Sequence, residues 1–547
     1  MDEDFIISKI ENLENNEFQL AYKKLIDDFN DKIDIIKQCG GTASIQKQHN
    51  KGRLTARERI NYLIDENSNF LELGIFAGYD MYNNFGGAPA SGVIIGIGKI
   101  CSQNFMIVAN DATVKAGAYF ETTLKKTIRA QQISSDCNLP IVYLVDSAGV
   151  FLPMQDQVFP DEAHFGKIFY NNAQLSSKGI AQIACVMGPC VAGGAYLPVM
   201  CDKYVMVDGS NMFLAGPALV KAAIGQKIDA ETLGGATTHS SISGIVDYHE
   251  KDDYKALDKI KKIVESINFY HTRFILPDDY LEPKYDFKNL ESYIDFSKNS
   301  QYDMYELLSR VVDNSTIFEY KANYGKTIIC CHAKIGGYKV GIIANQKKII
   351  KTSDGKMQLG GVIYNDSADK SSRFIMNCNQ DKIPLIFIHD VNGFMVGKDS
   401  EWSGIAKDGA KMVNAVSNST VPKISLIIGG SYGAGNYAMS GKAYNPNFIY
   451  AWPNAKIAVM GGEQAADTLT SLKISKLGKI NENQKNDIYN DIKKNYDKQS
   501  NILYGAARMW VDEVINPKDT RLILIKSLEV ISFSNKPKKA NYGVFQV

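Results

Sequence analysis

Short apolar runs alternate with longer amphipathic segments over most of the chain. From Gly92 onward, GVIIGIGKI and FMIVAND are apolar, AYFETTLKKTIRAQQIS has helical spacing, and PIVYLVDSAG is apolar again. Apolar runs of about four to eight residues are typical of buried strands, whereas longer segments with periodic apolar residues are typical of helices. The alternation predicts an α/β protein in which helices connect the strands.

Further helices and a linker are predicted outside these runs. Residues 2 to about 38 predict a helical lead-in, and Thr55 to Glu58 form a T-x-x-E capping box at a helix start. The charged stretch HEKDDYKALDKIKKIVESI predicts a surface helix, and residues 479–501 predict a solvated helix. The stretch PDDYLEPK at 277–284 has the composition of a linker.

An internal repeat organises the chain. PIVYLVDSAGV in the first half resembles PLIFIHDVNGF in the second, which aligns Asp146 with Asp390, 244 positions later. IACVMGPCVAGGAY aligns with SLIIGGSYGAGNY at an offset of 241, and FLAGP aligns with AVMGG at an offset of 245. Three landmarks in one order at nearly one spacing predict two copies of one domain. We expect a lead-in at 1–45, a first domain at 46–275, a linker at 276–300 and a second domain at 301–547.

Both copies place a glycine-rich turn directly after an apolar strand. The aligned pair is Gly193 and Gly194 in GPCVAGGAY, and Ala434 and Gly435 in GGSYGAGNYAM. Small residues let an oxygen atom approach two backbone N–H groups, and the start of a helix adds partial positive charge. Close packing of a strand on a helix is the structural alternative for such glycines. The duplication at one register favours an oxyanion site in each copy.

Composition and charge exclude several classes of protein. The 61 basic and 60 acidic side chains nearly cancel, so no global charge favours binding to nucleic acid. No apolar run reaches the roughly 20 residues of a membrane span, and the acidic start MDEDFIISKIENLENNE is unlike a signal or transit peptide, so we expect a cytoplasmic protein. The nine cysteines form no CxxC pair and are expected to be core residues, with Cys330 and Cys331 on opposite faces of one strand.

Common catalytic motifs are missing from the sequence. There is no GxxxxGK[ST], GxSxG or HExxH, which argues against P-loop enzymes, α/β-hydrolases and zincin proteases. Asp146 and Ser147 are interpreted as strand-end residues, and His332 and His389 lie in strand-like runs and are expected to be structural. Duplicated backbone donors without an evident acid–base side chain suit a reaction whose substrates bring their own base.

Five long segments carry a resemblance to a known family: KAGAYFETTLKKTIRAQ, the run from Tyr143 to Met200, FLAGPALVKAAIG, NGFMVGKDSEWSGIAKDGAKMVNAV and IIGGSYGAGNYAM. They resemble the beta subunit of biotin-dependent acyl-CoA carboxylases, and most of all its methylcrotonyl-CoA carboxylase branch. The resemblance implies two tandem crotonase-like domains of ββα spiral units. It also implies transfer of a carboxyl group from carboxybiotin to an acyl-CoA or enoyl-CoA, with 3-methylcrotonyl-CoA and leucine degradation as the expected substrate and context.

The resemblance also implies roles for individual residues. In the family, carboxybiotin releases CO2, the biotin urea takes the acyl-CoA proton, and the resulting enolate attacks CO2. Gly193 and Gly194 would then hold the thioester oxygen, and Ala434 and Gly435 the biotin urea oxygen. The implied CoA contacts are Ala148, Gly149, Ala192, Gly216, Tyr320, Tyr324, Gly341 and Asn345. The implied biotin contacts are Gly393, Phe394, Val396, Gly397 and Gly433, and no metal is implied in this subunit.

Partner subunits are implied as well. The sequence has no AMKM-like biotinyl-lysine site and no ATP-grasp domain, so biotin and its carboxylation are expected on a biotin carboxylase/biotin carboxyl carrier (alpha) subunit. A hexamer of beta subunits is expected, with each site between the first domain of one protomer and the second domain of another. A decarboxylase of the glutaconyl-CoA type, a propionyl-CoA or other acyl-CoA carboxylase, and a non-catalytic scaffold remain alternatives.

One segment departs from the methylcrotonyl-type pattern. After GIIAN, roughly a dozen extra residues run from Gln346 to Leu359 and include four lysines: Lys347, Lys348, Lys351 and Lys356. Two hypotheses fit this insertion. The lysines guide the phosphates of CoA or an acidic acyl group, or the segment is a solvated loop.

Overall fold

The computed structural model describes residues 4–10, 16–267, 273–298, 300–352, 355–477, 481–544 and 546. Strands and helices alternate along the chain, which confirms the predicted α/β class. The first half contains the following strands: β1 (Asp4–Phe5), β2 (Leu71–Leu73), β3 (Val93–Ile100), β4 (Gln103–Asn110), β5 (Ile141–Ser147), β6 (Gln182–Val191), β7 (Lys203–Val207), β8 (Asn211–Phe213) and β9 (Tyr248–Glu250). Its helices are α1 (Asn16–Lys37), α2 (Thr42–His49), α3 (Ala56–Leu63), α4 (Glu121–Cys137), α5 (Phe165–Ser177), α6 (Tyr196–Val199), α7 (Pro217–Ile224), α8 (Ala230–Gly234), α9 (Ala236–Ser241) and α10 (Asp253–Ser266).

The second half follows the same alternation. Its strands are β10 (Thr316–Glu319), β11 (Ile328–Ile335), β12 (Tyr338–Asn345), β13 (Ile350–Lys351), β14 (Met357–Gln358), β15 (Val362–Ile363), β16 (Leu385–Val391), β17 (Gly393–Phe394), β18 (Lys423–Tyr432), β19 (Phe448–Ala451), β20 (Lys456–Ala458) and β21 (Glu513–Val514). Its helices are α11 (Met304–Val311), α12 (Asn365–Asp381), α13 (Lys398–Trp402), α14 (Ile405–Ser417), α15 (Gly433–Ala438), α16 (Gly462–Leu477), α17 (Glu482–Ser500), α18 (Ile502–Ala507) and α19 (Thr520–Ile531).

Each half is built around one large sheet. The first sheet has the order β2-β3-β4-β5-β6-β7-β9, with β8 beside β6, and the second has the order β1-β10-β11-β12-β16-β18-β19-β21, with β20 beside β18. In both, an antiparallel hairpin, β3–β4 or β11–β12, leads into parallel strands. All seven residues of β5 and all seven of β16 are buried, as expected for parallel strands covered on both faces.

The repeat extends to the ends of individual helices. α4 and α12 both have 17 residues. At the start of α4 the backbone N–H of Phe120 donates to Thr123 Oγ1 (3.0 Å), and at the start of α12 the N–H of Tyr364 donates to Ser367 Oγ (2.9 Å). These shared local features at matched positions confirm that the two halves are copies of one unit.

The start of the chain and the middle segment do not follow the expected division into domains. The expected lead-in contains the helices α1 and α2, but β1 pairs with β10 and so belongs to the second sheet. α2 also continues past the expected boundary at 45/46. The segment expected to be a linker, 276–300, contains a 310 helix, Phe287–Ser292, and buries Leu290, Ile294 and Phe296 in a core that both halves share. Its apolar side chains therefore make it part of the core.

Other local predictions are confirmed. Thr55 and Glu58 form the predicted reciprocal capping box at the start of α3. α10 buries an apolar face against the first sheet, and α17 is the predicted solvated helix, although residues 478–480 lie outside the described residues. Cys330 and Cys331 pack into different apolar clusters on opposite faces of β11, and all nine cysteines are unpaired.

Candidate active site

The first glycine-rich turn begins where β6 ends. Ala192 adopts a left-handed conformation with φ of 57°, and Ala192–Ala195 form a 310 turn that leads into α6. A residue with a Cβ is strained in this conformation, so the surrounding fold must hold it there. The first residues of a helical segment have backbone N–H groups without acceptors in a preceding turn. Gly193 and Gly194 occupy these positions, where their N–H groups can bind an external oxygen.

The second turn repeats this geometry where β18 ends. Gly433 is left-handed with φ of 53°, and it lies 241 positions after Ala192. α15 begins at Gly433, so Ala434 and Gly435 stand in it where Gly193 and Gly194 stand in the first turn. The same unusual backbone conformation at the same register makes the two turns structural equivalents, as the sequence alignment predicted.

The glycines of the two turns have different surroundings. A Cβ built on Gly194 would meet no heavy atom within 4 Å, and one on Gly193 would touch only the ring carbons of Phe165 and Phe169, at 3.4 Å or more. A Cβ on Gly435 would instead lie 2.7 Å from Val391 Cγ2. Glycine at 194 thus leaves open space in front of the turn, whereas glycine at 435 permits close packing of α15 on the end of β16.

Four of the expected CoA-binding residues lie at the carboxyl ends of neighbouring strands in the first sheet: Ala148, Gly149, Ala192 and Gly216. Gly149 is left-handed (φ 92°), and a Cβ there would lie 3.3 Å from the carbonyl oxygen of Val191, next to Ala192. Gly216 caps α7 just after β8, and β8 pairs with the end of β6. Ligands of α/β sheets bind outside the carboxyl ends of the strands, so this placement fits a binding site.

The other four expected CoA contacts lie in the second half of the chain. Tyr324 is exposed, and Tyr320 is half-buried with its ring 5.6 Å from that of Phe374. Gly341 is a core position, because a Cβ there would lie 2.6 Å from Cys378 Sγ. Asn345 is fully buried and accepts a hydrogen bond from the backbone N–H of Asp390 (3.2 Å). Packing thus accounts for the glycine at 341, and Asn345 supports the backbone of Asp390 through its oxygen, while its Nδ2 has no hydrogen-bond partner among the described residues. A contact of either residue with CoA stays a prediction.

The expected biotin-binding residues gather in front of the second turn. Gly393 and Gly397 are left-handed, with φ of 126° and 111°, and a Cβ on either would meet no heavy atom within 4 Å. The Cα of Gly393 lies 3.1 Å from the position of a Cβ on Gly435, which brings the 393–397 loop against α15. Phe394 pairs with β15, and Val396 is exposed. The loop thus lies against the helix that begins at Gly433.

The two histidines expected to be structural are placed as expected. Burial lowers the pKa of His389 to about 3 and lowers that of His332, so both rings are neutral at pH 7. Nδ1 of His389 lies 3.0 Å from Ser431 Oγ, which in turn accepts a hydrogen bond from the side-chain amide of Asn436 (2.8 Å). His389 thus supports the second turn from the side.

Sequence reasoning missed a buried charge cluster beneath the second turn. Asp390 served only as a landmark of the repeat, but its Oδ1 accepts from Lys347 Nζ (2.7 Å) and from the backbone N–H of Gly430 (2.9 Å). Asp146 in the first copy is paired with Arg59 at 2.9 Å. The alignment of the two aspartates was the signal that could have identified them as anchors. No sequence pattern marked Lys347 as the partner of Asp390.

The insertion forms a small hairpin. β13 and β14 pair in antiparallel register, Ile350 with Gln358 and Lys351 with Met357. Lys347 precedes the hairpin and is buried against Asp390, and Lys348 forms an ion pair with Asp303. The hypothesis that the lysines guide CoA phosphates is thus corrected for Lys347, whose ammonium group is enclosed, while Lys351 on the hairpin is exposed.

Comparisons with known proteins agree with this geometry. The sequence pattern of a protein family described as "Carboxyl transferase domain" matches residues 47–541. The chain belongs to the carboxyl transferase family. It is 45% identical over 523 residues to the methylcrotonoyl-CoA carboxylase beta chain of Dictyostelium discoideum, covering 94% of this chain and 86% of that one. It is 42% identical over 536 residues to the biotin-dependent 3-methylcrotonyl-coenzyme A carboxylase beta1 subunit of Mycobacterium tuberculosis, covering 97% and 98%.

A solved structure confirms the crotonase-like fold of this carboxyltransferase. The crystal structure of the P. aeruginosa geranyl-CoA carboxylase beta subunit is similar with a TM-score of 0.87 and 32% identity, covering 100% of this chain and 99% of that one. The chain is therefore the carboxyltransferase component of a biotin-dependent acyl-CoA carboxylase, as predicted. Within the described part of the chain, no helix is long and apolar enough to cross a membrane, and no cluster of three or more residues suited to a metal ion is found.

Proposed function

We propose that this carboxyltransferase transfers a carboxyl group from carboxybiotin to 3-methylcrotonyl-CoA, a step of leucine degradation. The relatives named for this substrate support the choice of acyl group. The observation that carries the proposed chemistry is the matched pair of turns, each entered through a left-handed residue, Ala192 or Gly433, at the end of a buried strand. A reaction that passes through two oxyanions requires two such sets of fixed donors.

The first turn is assigned to the thioester. The N–H groups of Gly193 and Gly194 hold the thioester oxygen, which gains negative charge when the acyl chain loses a proton. Because the donors are backbone groups fixed by the strained turn, they need no rearrangement as the charge develops. Loss of one such donor typically costs about 3 kcal/mol of transition-state stabilisation. The open space in front of Gly194 leaves room for the thioester.

The second turn is assigned to biotin. Gly393 and Gly397 leave room for a flat ring beside this turn, because a Cβ on either residue would project into open space. The N–H groups of Ala434 and Gly435 would hold the urea oxygen, and Phe394 and Val396 would line the ring. When bound, carboxybiotin supplies the carboxyl group and a basic urea nitrogen. The side chain of His389 is neutral, so it adds no charge beside the second turn.

The assembly is proposed to be a hexamer of beta subunits in complex with an alpha subunit that carries biotin. Apolar side chains are exposed on the segments that follow each turn and its neighbouring strand: Leu152, Leu219 and Ile224 in the first half, and Val396, Trp402 and Val459 in the second. A contiguous apolar surface usually marks a protein interface, and we propose that these side chains belong to such surfaces in the assembly. Placing the first half of one protomer against the second half of another would cover both surfaces and bring an acyl-CoA turn and a biotin turn together.

Cytoplasmic location remains a prediction, which nine unpaired cysteines favour.

Carboxylation of a panel of CoA esters by the complex with its alpha subunit tests the substrate. We expect the highest kcat/KM for 3-methylcrotonyl-CoA, with lower values for geranyl-CoA, propionyl-CoA and acetyl-CoA. A preference for propionyl-CoA or geranyl-CoA would reassign the acyl group and keep the chemistry. Net release of CO2 from a carboxylated thioester, coupled to a membrane-embedded partner, would establish the decarboxylase alternative. No transfer to any ester would contradict the proposal.

A further inference from the structure

The carboxylate of Asp390 lies directly beneath the second turn. Its Oδ1 accepts hydrogen bonds from the backbone N–H of Gly430 (2.9 Å) and from Lys347 Nζ (2.7 Å), and its Oδ2 accepts one from the hydroxyl of Tyr302 (2.9 Å). A Cβ on Gly429 would lie 2.5 Å from this carboxylate, so glycine is required for the strand to pass so close. Asp390 thus contacts β18 shortly before this strand ends at Tyr432.

Only a few backbone residues separate Gly430 from the oxyanion donors, so a shift of Gly430 would move these donors as well. Gly430 begins the last segment of β18, which pairs with Lys456–Ala458 of β20 and ends at Tyr432. Gly433 follows at once in its left-handed conformation, and Ala434 and Gly435 come next. The position of the Asp390 carboxylate therefore sets the position from which the turn starts.

Lys347 places a buried cation next to that carboxylate. The side chains of Lys347 and Asp390 are both about 95% buried or more. On its other side Asp390 lines a cavity of about 100 Å³ together with Tyr302, Asn454 and Lys456. A polar cavity of this size can hold water, to which a carboxylate without a buried cation could turn. The ion pair with Lys347 keeps Oδ1 turned to Gly430.

The first copy lacks this link, although it has the ion pair. Asp146 is paired with Arg59, and a Cβ on Gly188 would lie 1.9 Å from Asp146 Oδ1. The residue that matches Gly430 at the offset of 241 is Pro189, which has no backbone N–H to donate. The carboxylate therefore cannot hold the first turn by this hydrogen bond. The coupling of cation, carboxylate and turn is confined to the second copy.

Building on the proposed assignment of the second turn to biotin, we propose that Lys347 is a positioning residue for the biotin site. Its ammonium group holds Asp390 beneath Gly430 and so aligns the N–H groups of Ala434 and Gly435 with the urea oxygen. The insertion then has a defined role, because it contains Lys347. This lysine pairs with Asp390 as Arg59 pairs with Asp146 in the first copy. Lys347 touches neither substrate, and it acts through Asp390 and Gly430 alone.

Reverse transfer from the carboxylated thioester product to free biocytin tests the inference, because the two substrates can be varied separately. Lys347→Met should raise the KM for biocytin or lower kcat by about tenfold or more, while the KM for the thioester stays within about twofold. The double variant K347M/D390N should recover most of the loss, because it is neutral and the amide oxygen of asparagine can still accept from Gly430. Lys370→Met is the matched control, since Lys370 is a fully buried lysine of the same half that is paired with Glu319.

The outcomes separate the inference from the proposed function. If K347M weakens both substrates equally, or if K370M gives the same selective defect, Lys347 is only structural and the inference is overturned. Should K347M not fold, K347M/D390N and K347M/D390L give the same test, since both lack the charged pair and only asparagine offers an acceptor to Gly430. Equal biocytin KM values for these two would overturn the inference. Failure of the wild-type complex to transfer a carboxyl group to biocytin would instead contradict the proposed function.

Discussion

Arg129 of the first half and Asp512 of the second half form a two-point ion pair in the buried interior. Nε and Nη2 of Arg129 lie 2.8 Å and 2.7 Å from the two carboxylate oxygens of Asp512. Lys442 Nζ lies 2.6 Å from Asp512 Oδ1. Although burial raises the pKa of Asp512, the charges of Arg129 and Lys442 hold it well below its usual range. Asp512 therefore joins the two copies of the repeat through charge as well as through their shared core.

Replacing Asp512 by asparagine should destabilise the protein strongly at neutral pH. Removal of one partner from a buried ion pair typically costs about 3–5 kcal/mol, because the remaining cations are left unpaired. Since the pKa of Asp512 is lowered in the folded state, its contribution is complete above an unfolded pKa of about 3.9 and is lost as the pH falls below it. Urea unfolding should show a large difference between D512N and wild type at pH 7 and a smaller one in acid. Glu121→Gln, which removes the exposed pair with Lys125, should cost less than about 1 kcal/mol.

Leucine at position 194 should abolish transfer to the acyl-CoA without unfolding the protein. The new side chain would extend into the open space in front of the first turn, where the thioester is proposed to bind. We expect kcat/KM to fall by about 100-fold or more while the melting temperature stays near that of wild type. Gly166→Leu is a matched control, because a Cβ on Gly166 also meets no heavy atom within 4 Å. A fully active Gly194→Leu variant would contradict the assignment of the first turn.

Replacing His389 by glutamine should change acid stability more than turnover. Burial lowers the pKa of His389 to about 3 in the folded state, so below an unfolded pKa of about 6.5 the unfolded chain binds a proton that the folded chain does not. The stability that His389 provides is therefore complete above about pH 6.5 and declines as the pH falls toward 3. H389Q should show a flatter dependence of unfolding free energy on pH over this range. A folded H389Q oligomer that loses more than about 100-fold in turnover would contradict a structural role for His389.

Two lysines of the insertion hairpin should affect binding of CoA esters and not of biotin. Lys351 is exposed on this hairpin, whereas Lys347 is enclosed beneath the second turn. If Lys351 and Lys356 guide the CoA phosphates, K351S/K356S should raise the KM for CoA esters, most clearly at low ionic strength where surface charges are least screened. The KM for biocytin should not change. An unchanged KM for CoA esters at low salt would make the hairpin a solvated loop.

The sequence alone determined the features that depend on local spacing. The alternation of apolar runs and amphipathic segments predicted the α/β class, and the aligned landmarks predicted the duplication and the two turns at their correct register. These predictions hold because strand burial, helix capping and turn conformation are governed by residues close together in the chain. The two glycine-rich turns are one such feature, since each lies within a single short motif.

Only the tertiary structure decided which distant residues meet. Gly341 and Asn345 were expected at a ligand surface, but the packing of α12 and β16 buries them. Lys347 lies 43 positions before Asp390, and Arg129 lies 383 positions before Asp512, so no periodicity in the sequence relates either pair. The expected linker likewise became part of the core because both halves cover its apolar side chains. Burial and charge pairing depend on which distant segments the fold brings together, and local sequence patterns cannot specify those contacts.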